Sequence, residues 1–239
     1  MSDFHRFPHT PHLAWLGEGE PRDDKVLSKE ETLALLSAPV RVEEKIDGAN
    51  LGLSVGQNGR LRAQNRGQYL EAPYRSQFTR LAAWLVARES TLTSALGQNL
   101  ILFGEWCAAR HSVEYEQLPD WFVAFDVYDR ESGQYWSAAR RDEFCARLGL
   151  AVAPTVSEGR TSLPALRELA STRRSRFGDS PIEGVVVRRD EKDWLDSRAK
   201  LVAPGFTQAI NEHWRHRTII WNRLVTGKTV SVSLLPSAS

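Results

Sequence analysis

The dipeptide Asn58-Gly59 lies between two short runs of alternating character, Leu51–Val55 and Leu61–Gln64, and fixes a β-hairpin there. Asparagine followed by glycine accepts the positive-φ backbone that a tight turn between right-twisted strands requires. The runs around this hairpin extend the antiparallel theme. Val40–Ile46, Leu100–Trp106, Trp121–Tyr128, Ile182–Arg189 and Arg198–Val202 carry the β-branched and aromatic residues of strands. Helix signals fall between them irregularly. Ser28-Lys29-Glu30-Glu31 is a capping box that opens a helix through Leu36, and Pro39 closes it. Phe78, Leu81, Ala82, Leu85 and Val86 give Gln77–Arg88 a helical spacing. Ser137 caps a helix that Gly149 ends, and Ser162 caps another with Pro164 in its first turn. A further helix is predicted over about 206–224, and the tail from Leu234 to Ser239 is expected to fray. Strands and helices mix without βαβ alternation, so the predicted fold class is α+β with mainly antiparallel sheets.

Composition limits what such a fold can serve. Hydrophobic residues make up 41% and charged residues 26% of 239, which excludes a disordered or collagen-like chain. No apolar run reaches the roughly 18 residues of a membrane span, and Met1–His12 has no signal-peptide pattern. No membrane association is expected, and a cytoplasmic location is. Cys107 and Cys145 match no metal or redox spacing and read as plain buried thiols of a reducing compartment. The net charge is only +1, but it is unevenly spread. Residues 1–50 hold ten acids against six bases, whereas residues 198–228 hold six bases against Glu212 alone. A basic end of this kind suits a polyanion, and equally a solvated helix face.

Lysine usage is more telling. The chain has 31 basic residues, yet only Lys25, Lys29, Lys45, Lys192, Lys200 and Lys228 are lysines. Arginine stays protonated in proteins, so a nucleophilic nitrogen must be lysine. Lys45 stands at a strand end in Lys45-Ile46-Asp47-Gly48, where alternation places Glu43, Lys45 and Asp47 on one face. Further on come Gln64-Asn65-Arg66-Gly67, Phe103-Gly104-Glu105-Trp106 and Phe122-Val123-Ala124-Phe125-Asp126. Ile182-Glu183-Gly184-Val185-Val186-Val187-Arg188 and Arg198-Ala199-Lys200-Leu201 complete the series.

In content, order and spacing these segments resemble motifs I, Ia, III, IIIa, IV and V of the covalent nucleotidyltransferases, the superfamily of ATP-dependent polynucleotide ligases and mRNA capping enzymes. The look is most like the small ATP-dependent RNA ligases of the phage double-strand-repair type. The resemblance covers about residues 40–202 and implies two antiparallel sheets with ATP in the groove between them. It implies Lys45 as the nucleophile that takes AMP, its amine neutralised by nearby cations or burial. Lys200, Arg198 and Arg66 would place fixed positive charge at the α-phosphate. Glu105 would bind the ribose hydroxyls, Phe125 would stack on the purine and Asp126 would have a polar role beside it. Glu183 would hold Mg²⁺ or Mn²⁺. Arg188 and Arg189 are read as phosphate ligands or strand-surface charges. Two positions depart from the family pattern: Asn65 replaces the usual serine before Arg66, and Arg198 replaces one of two motif V lysines.

The reaction so implied is sealing of 3′-OH and 5′-phosphate ends through a lysyl-AMP and an adenylylated 5′ end. The substrate expected is nicked or broken RNA, including ends in duplex with DNA or RNA, with an end-healing kinase/phosphatase as a candidate partner. Residues 1–202 are read as the adenylation domain and 203–239 as a short helical basic extension. The 39 residues after Lys200 are too few for the OB domain of DNA ligases and capping enzymes, which favours the RNA-ligase type. A nick-sealing DNA ligase, a GTP-using capping guanylyltransferase and a non-catalytic nucleotide- or RNA-binding module remain as alternatives. His9 with His12, and His213 with His216, have ligand-like spacing but no companion cysteines for zinc. His111, downstream of the Glu105 strand, is read as reaching the substrate or capping a loop. Trp214 and Trp221 are expected to pack the predicted C-terminal helix on the domain.

Overall fold

The Asn58-Gly59 turn forms in the computed structural model, which describes residues 4–18, 25–209 and 219–225. Gly59 has φ 74°, and the Asn58 carboxamide oxygen accepts the Arg60 N–H at 3.1 Å. The hairpin joins β2 (Ala49–Val55) to β3 (Leu61–Gln64). Among the described residues ten strands build two sheets. The first sheet orders β10 (Trp194–Val202), β9 (Gly184–Glu191), β1 (Val40–Glu44) and β8 (Thr155–Gly159). The second orders β3, β2, β4 (Leu100–Trp106), β5 (Phe122–Asp129) and β6 (Gln134–Tyr135), with β7 (Ala151–Val152) added beside β5. Every pairing except β5 with β7 is antiparallel, as the α+β reading requires.

Helices cover one face of each sheet. Under the second sheet, α2 (Leu81–Val86), α3 (Glu89–Leu96) and α4 (Ala138–Arg147) bury Leu81, Trp84, Leu92, Leu96, Phe144 and Cys145 against Leu51, Leu53 and Leu102. Under the first sheet, α1 (Lys29–Leu36) and α5 (Leu163–Thr172) bury Leu35, Leu166 and Ala170 against Val42, Val185, Val187, Ala199 and Leu201. The serine caps work as read. Ser28 and Glu31 form the reciprocal capping box, and the Ser137 and Ser162 hydroxyls accept from Arg140 and Ala165 N–H.

The remaining faces of the two sheets meet through a buried charged seam. Arg141 of α4, fully buried, donates to Glu43 of β1 at 2.6 Å and to the Phe125 carbonyl at 2.7 Å. Arg188 of β9 donates to Asp126 of β5 at 2.8 Å and to the Phe125 and Trp136 carbonyls at 3.0 Å. Arg198 of β10 donates to the other Asp126 oxygen. Carboxylates and backbone carbonyls therefore take most of the buried guanidinium donors, Arg188 Nε excepted, which is what makes burial of these charges tolerable. Removing one member leaves the rest uncompensated. Glu43→Ala is expected to lower the unfolding free energy by about 3–5 kcal/mol, read by urea denaturation.

Three sequence expectations change. Gln77–Arg88 is not one helix: a 3₁₀ turn over Ser76–Phe78 precedes α2. The reason is tertiary, because the Trp106 indole takes the Gln77 carbonyl at 2.8 Å and His111 takes its side-chain oxygen at 2.6 Å. The strand at Arg198 starts earlier, at Trp194, and forms a hairpin with β9 through Lys192, whose φ is 51°. The helix predicted over 206–224 is described only as α6 (Pro204–Ala209). Residues 219–225 are not helical and run beside 107–118, with bridges Ala109–Trp221 and Leu118–Leu224. His213, Trp214, His216, Glu212 and the tail from Leu234 lie outside the described residues. Among the described residues no helix is long and apolar enough to cross a membrane, and both cysteines are buried free thiols.

Candidate active site

Lys45 follows directly on β1, and backbone bonding fixes what it faces. Its N–H donates to the Gly184 carbonyl at 3.0 Å, and the Ala203 N–H donates to the Glu183 carbonyl at 2.9 Å. The start of β9 thus lies beside the end of β1. A side chain at Gly184 would collide with the Leu201 carbonyl oxygen, so glycine lets β9 and β10 close at this point. The Lys45 amine donates to Glu183 Oε2 at 2.5 Å, with 25% and 14% of the two side chains exposed.

Gly48 brings the second sheet to the same place. A Cβ there would stand 2.6 Å from the Trp106 carbonyl oxygen and 3.0 Å from Glu105 Cγ. The turn after Lys45 therefore packs directly on Glu105 of β4. Asp47 between them is anchored: its carboxylate accepts the Ser112 and Val113 N–H groups at 2.6 and 2.8 Å, and its own N–H donates to the Tyr115 hydroxyl at 2.8 Å. The lysine is accordingly bonded to one carboxylate, Glu183, and lies within the electrostatic reach of two more, Glu105 and Asp47.

The titration behaviour follows. Burial pulls the Lys45 amine down, but the Glu183, Glu105 and Asp47 charges and the Glu183 hydrogen bond outweigh it, so the amine is held above the usual lysine range. Of the two influences expected to neutralise the amine, nearby cations and burial, burial does act in that direction on Lys45. Carboxylates, not arginines, are its nearest partners. Glu183 is raised by burial first and by Asp47, against the pull of Lys45 and Lys200. Glu105 is pushed up to about 8 by burial first, with Lys45 and Arg66 opposing and Glu183 and Asp47 adding. Between the ordinary carboxylate value and 8, the folded chain keeps a proton that the unfolded chain releases. The stability linked to Glu105 is therefore fully present at low pH and lost as pH climbs towards 8. Thermal midpoints of the ligand-free protein are expected to fall from about pH 5 to about pH 8, and Glu105→Gln should flatten that slope.

The other sequence-predicted residues divide into two groups. Lys200 lies two residues beyond Arg198 on β10, and alternation puts both opposite the buried Ala199 and Leu201. Its charge is felt by Glu183. Arg66 follows β3, is felt by Glu105, and has a buried Nε with no hydrogen-bond partner. Phe125 packs edge-on against Phe7, with centroids 5.1 Å apart. Asp126 and Arg198 meet each other in the seam, and the Arg198 guanidinium also lies 4.6 Å from the Phe7 and Tyr135 ring centroids. Arg188 is buried on Asp126, and Arg189 bonds Asp196 and the Ala34 carbonyl. His12 is buried edge-on to Trp15, and no group of three possible metal-ligating side chains exists among the described residues.

Sequence reasoning missed Asn50, Phe7 and the role of Asp47. Asn50 stands opposite Glu105 in the β2–β4 ladder, and its buried Oδ1 has no partner. The available signal was alternation, which sets this polar residue on the face opposite Leu51 and Leu53. An orphaned acceptor at Asn50 and an orphaned donor at Arg66, both flanking Glu105, suit a polyhydroxylated, phosphorylated ligand. The hard carboxylate oxygen of Glu183 suits a divalent cation completed by phosphate oxygens and water.

Two antiparallel sheets with flanking helices form the nucleotidyltransferase fold, and solved structures share it. A Naegleria gruberi RNA ligase mutant with ATP and Mn superposes with TM-score 0.65 at 16% identity, covering 87% of this chain and 59% of that one. The Naegleria gruberi RNA ligase with PPi gives 0.59 at 17%, covering 85% and 63%. An archaeal ATP-dependent RNA ligase gives 0.57 at 16%, covering 83% and 48%. This chain thus spans about three-fifths of the first of these, 59%. No curated protein matches it. The profile described as RNA ligase matches residues 38–202, and the chain belongs to the RNA ligase family.

Proposed function

We propose that this protein is an ATP-dependent RNA ligase that joins 3′-OH and 5′-phosphate ends. The observation that carries the reading is the Lys45 amine, 2.5 Å from Glu183 and flanked by Glu105 and Asp47 between the two sheets. Lys45 Nζ attacks the α-phosphorus of ATP, the bond to the β-phosphate oxygen breaks, and pyrophosphate leaves. AMP passes from Lys45 to a 5′-phosphate, and a 3′-OH then displaces it to close the phosphodiester.

Glu183 is the residue that would hold Mg²⁺ or Mn²⁺, and such an ion supplies charge neutralisation and phosphate ligation. Were Glu183 so engaged, Lys45 would keep only Glu105 and Asp47 to hold its proton, and burial would pull it further towards the neutral amine. Lys200 and Arg66 place positive charge where negative charge grows at phosphorus. Glu105, with Asn50 beside it, meets the ribose, and Phe125 meets the purine. Asp126 and Arg198 serve from the seam, where their mutual pairing sets the position of Phe125 and Phe7.

The substrate proposed is nicked or broken RNA, including ends in duplex, and an end-healing kinase/phosphatase is the partner class that would supply its termini. A cytosolic setting follows from the ATP requirement and is in keeping with the free thiols of Cys107 and Cys145. Incubation with α-phosphate-labelled ATP or GTP is the test, followed by sealing of nicked duplexes with RNA or DNA on each side of the break. Label from ATP and joining at an RNA 3′-OH are expected. Label from GTP alone would indicate a capping-type transferase, joining at DNA ends alone a DNA ligase, and no label at all a binding module.

A further inference from the structure

Residues 219–225 clamp the loop that holds the nucleophile's turn. Along this contact Ile220 O accepts the Arg110 N–H at 2.8 Å, and the Asn222 N–H donates to Ala108 O at 3.0 Å. The Arg223 and Val225 N–H groups donate to Tyr115 O and Leu118 O, each at 2.9 Å. Asn222 is only 4% exposed, and its carboxamide is fully used. Nδ2 donates to Cys107 O at 2.8 Å and to Ala109 O at 3.4 Å, while Oδ1 accepts the Tyr115 N–H at 3.0 Å. One side chain therefore ties the two ends of 107–115 together.

Tyr115 passes this constraint on. It is 1% exposed, its ring lies edge-on to Phe177 at 6.1 Å, and its hydroxyl accepts the Asp47 N–H at 2.8 Å. Asp47 is two residues from Lys45, and its carboxylate is gripped by Ser112 and Val113 of the same loop. We propose that Asn222 and Tyr115 are positioning residues for Lys45: Asn222 sets Tyr115, and the Tyr115 hydroxyl sets the backbone from which the nucleophile reaches. Neither touches the reacting atoms. The inference rests on Lys45 being the adenylylated lysine.

A shift of about 1 Å in a nucleophile costs up to about 100-fold in rate. Tyr115→Phe keeps the buried ring and deletes only the acceptor for Asp47, and Asn222→Ala deletes the tie above it. Covalent labelling from ATP by the full chain separates rate at saturation from the half-saturating ATP concentration. Each variant is expected to lose about 10-fold in saturated rate, with half-saturation moved less than about 2-fold. Because both act through one contact, the double variant should be no slower than the slower single variant. A Tyr115→Phe protein that labels at the wild-type rate overturns the relay, even if its thermal midpoint falls. So does a double variant whose loss is the product of the two single losses. If Asn222→Ala does not fold, Tyr115→Phe decides alone. Wild-type protein that takes no label on Lys45 would instead overturn the ligase reading beneath it.

Discussion

Lys45→Ala is expected to take no covalent label from α-phosphate-labelled ATP, a loss of more than about 10⁴-fold. The alanine variant alone is ambiguous, because it also leaves Glu183, Glu105 and Asp47 facing one another without their cation. Like charges so placed raise each other's pKa, so this variant should lose stability more steeply than wild type as pH rises. Lys45→Arg separates the two effects. Arginine keeps a positive charge beside Glu183 but does not give up its proton, so it should fold with a near wild-type thermal midpoint and still take no label. Label on the arginine variant would place the nucleophile elsewhere. In wild type the labelling rate should rise with pH, since only the neutral amine attacks. The carboxylates favour the protonated amine, so more Mg²⁺ should carry the rise to lower pH.

What the sequence made legible is what local chemistry dictates. The hairpin at Asn58-Gly59 and the strands Leu61–Gln64 and Leu100–Trp106 have the bounds predicted. Three serine caps start helices where they were read, because each cap satisfies N–H groups within its own first turn. The helix expected over Gln77–Arg88 broke because Trp106 and His111, distant in sequence, take both polar ends of Gln77. Short strands such as β6 and β7 have only two residues each and carry no periodicity to read.

The site shows the same division. Lys45, Glu105 and Glu183 were picked out by the series of motifs rather than by any one of them, and the fold brings the three near one another. Arg198 was read as charge at the α-phosphate and Asp126 as a polar residue of the site, and the structure bonds Asp126 to both Arg198 and Arg188. No single-chain pattern announces Arg141, whose helix carries no motif although its guanidinium is fully buried on Glu43. Asn222 is equally silent, since its partners Cys107, Ala109 and Tyr115 are more than a hundred residues away.

Glu183→Gln provides the second large effect, and its direction separates a metal role from a structural one. Glutamine keeps the size of Glu183 and can still meet the Lys45 amine through its carbonyl oxygen, but it loses the charge that a divalent cation needs. Saturated labelling should fall by about 10²–10³-fold, the scale on which loss of a single transition-state stabilising group is felt. The metal concentration for half-maximal rate should rise as well. Stability should move the other way. Burial raises the Glu183 carboxyl, so its ionised form is a cost to the folded state above the ordinary carboxylate range, and the neutral amide removes that cost. Losing the ion pair to Lys45 offsets part of this gain, and the net thermal midpoint at about pH 8 should stay at or above wild type. A Glu183→Gln protein with wild-type labelling and unchanged metal dependence would show that the carboxylate only holds Lys45 in place. A protein that loses labelling and melts well below wild type would assign it a structural role instead. Labelling lost while the fold stands firm is the outcome expected from the placement of Glu183, hydrogen-bonded to Lys45 just before β9.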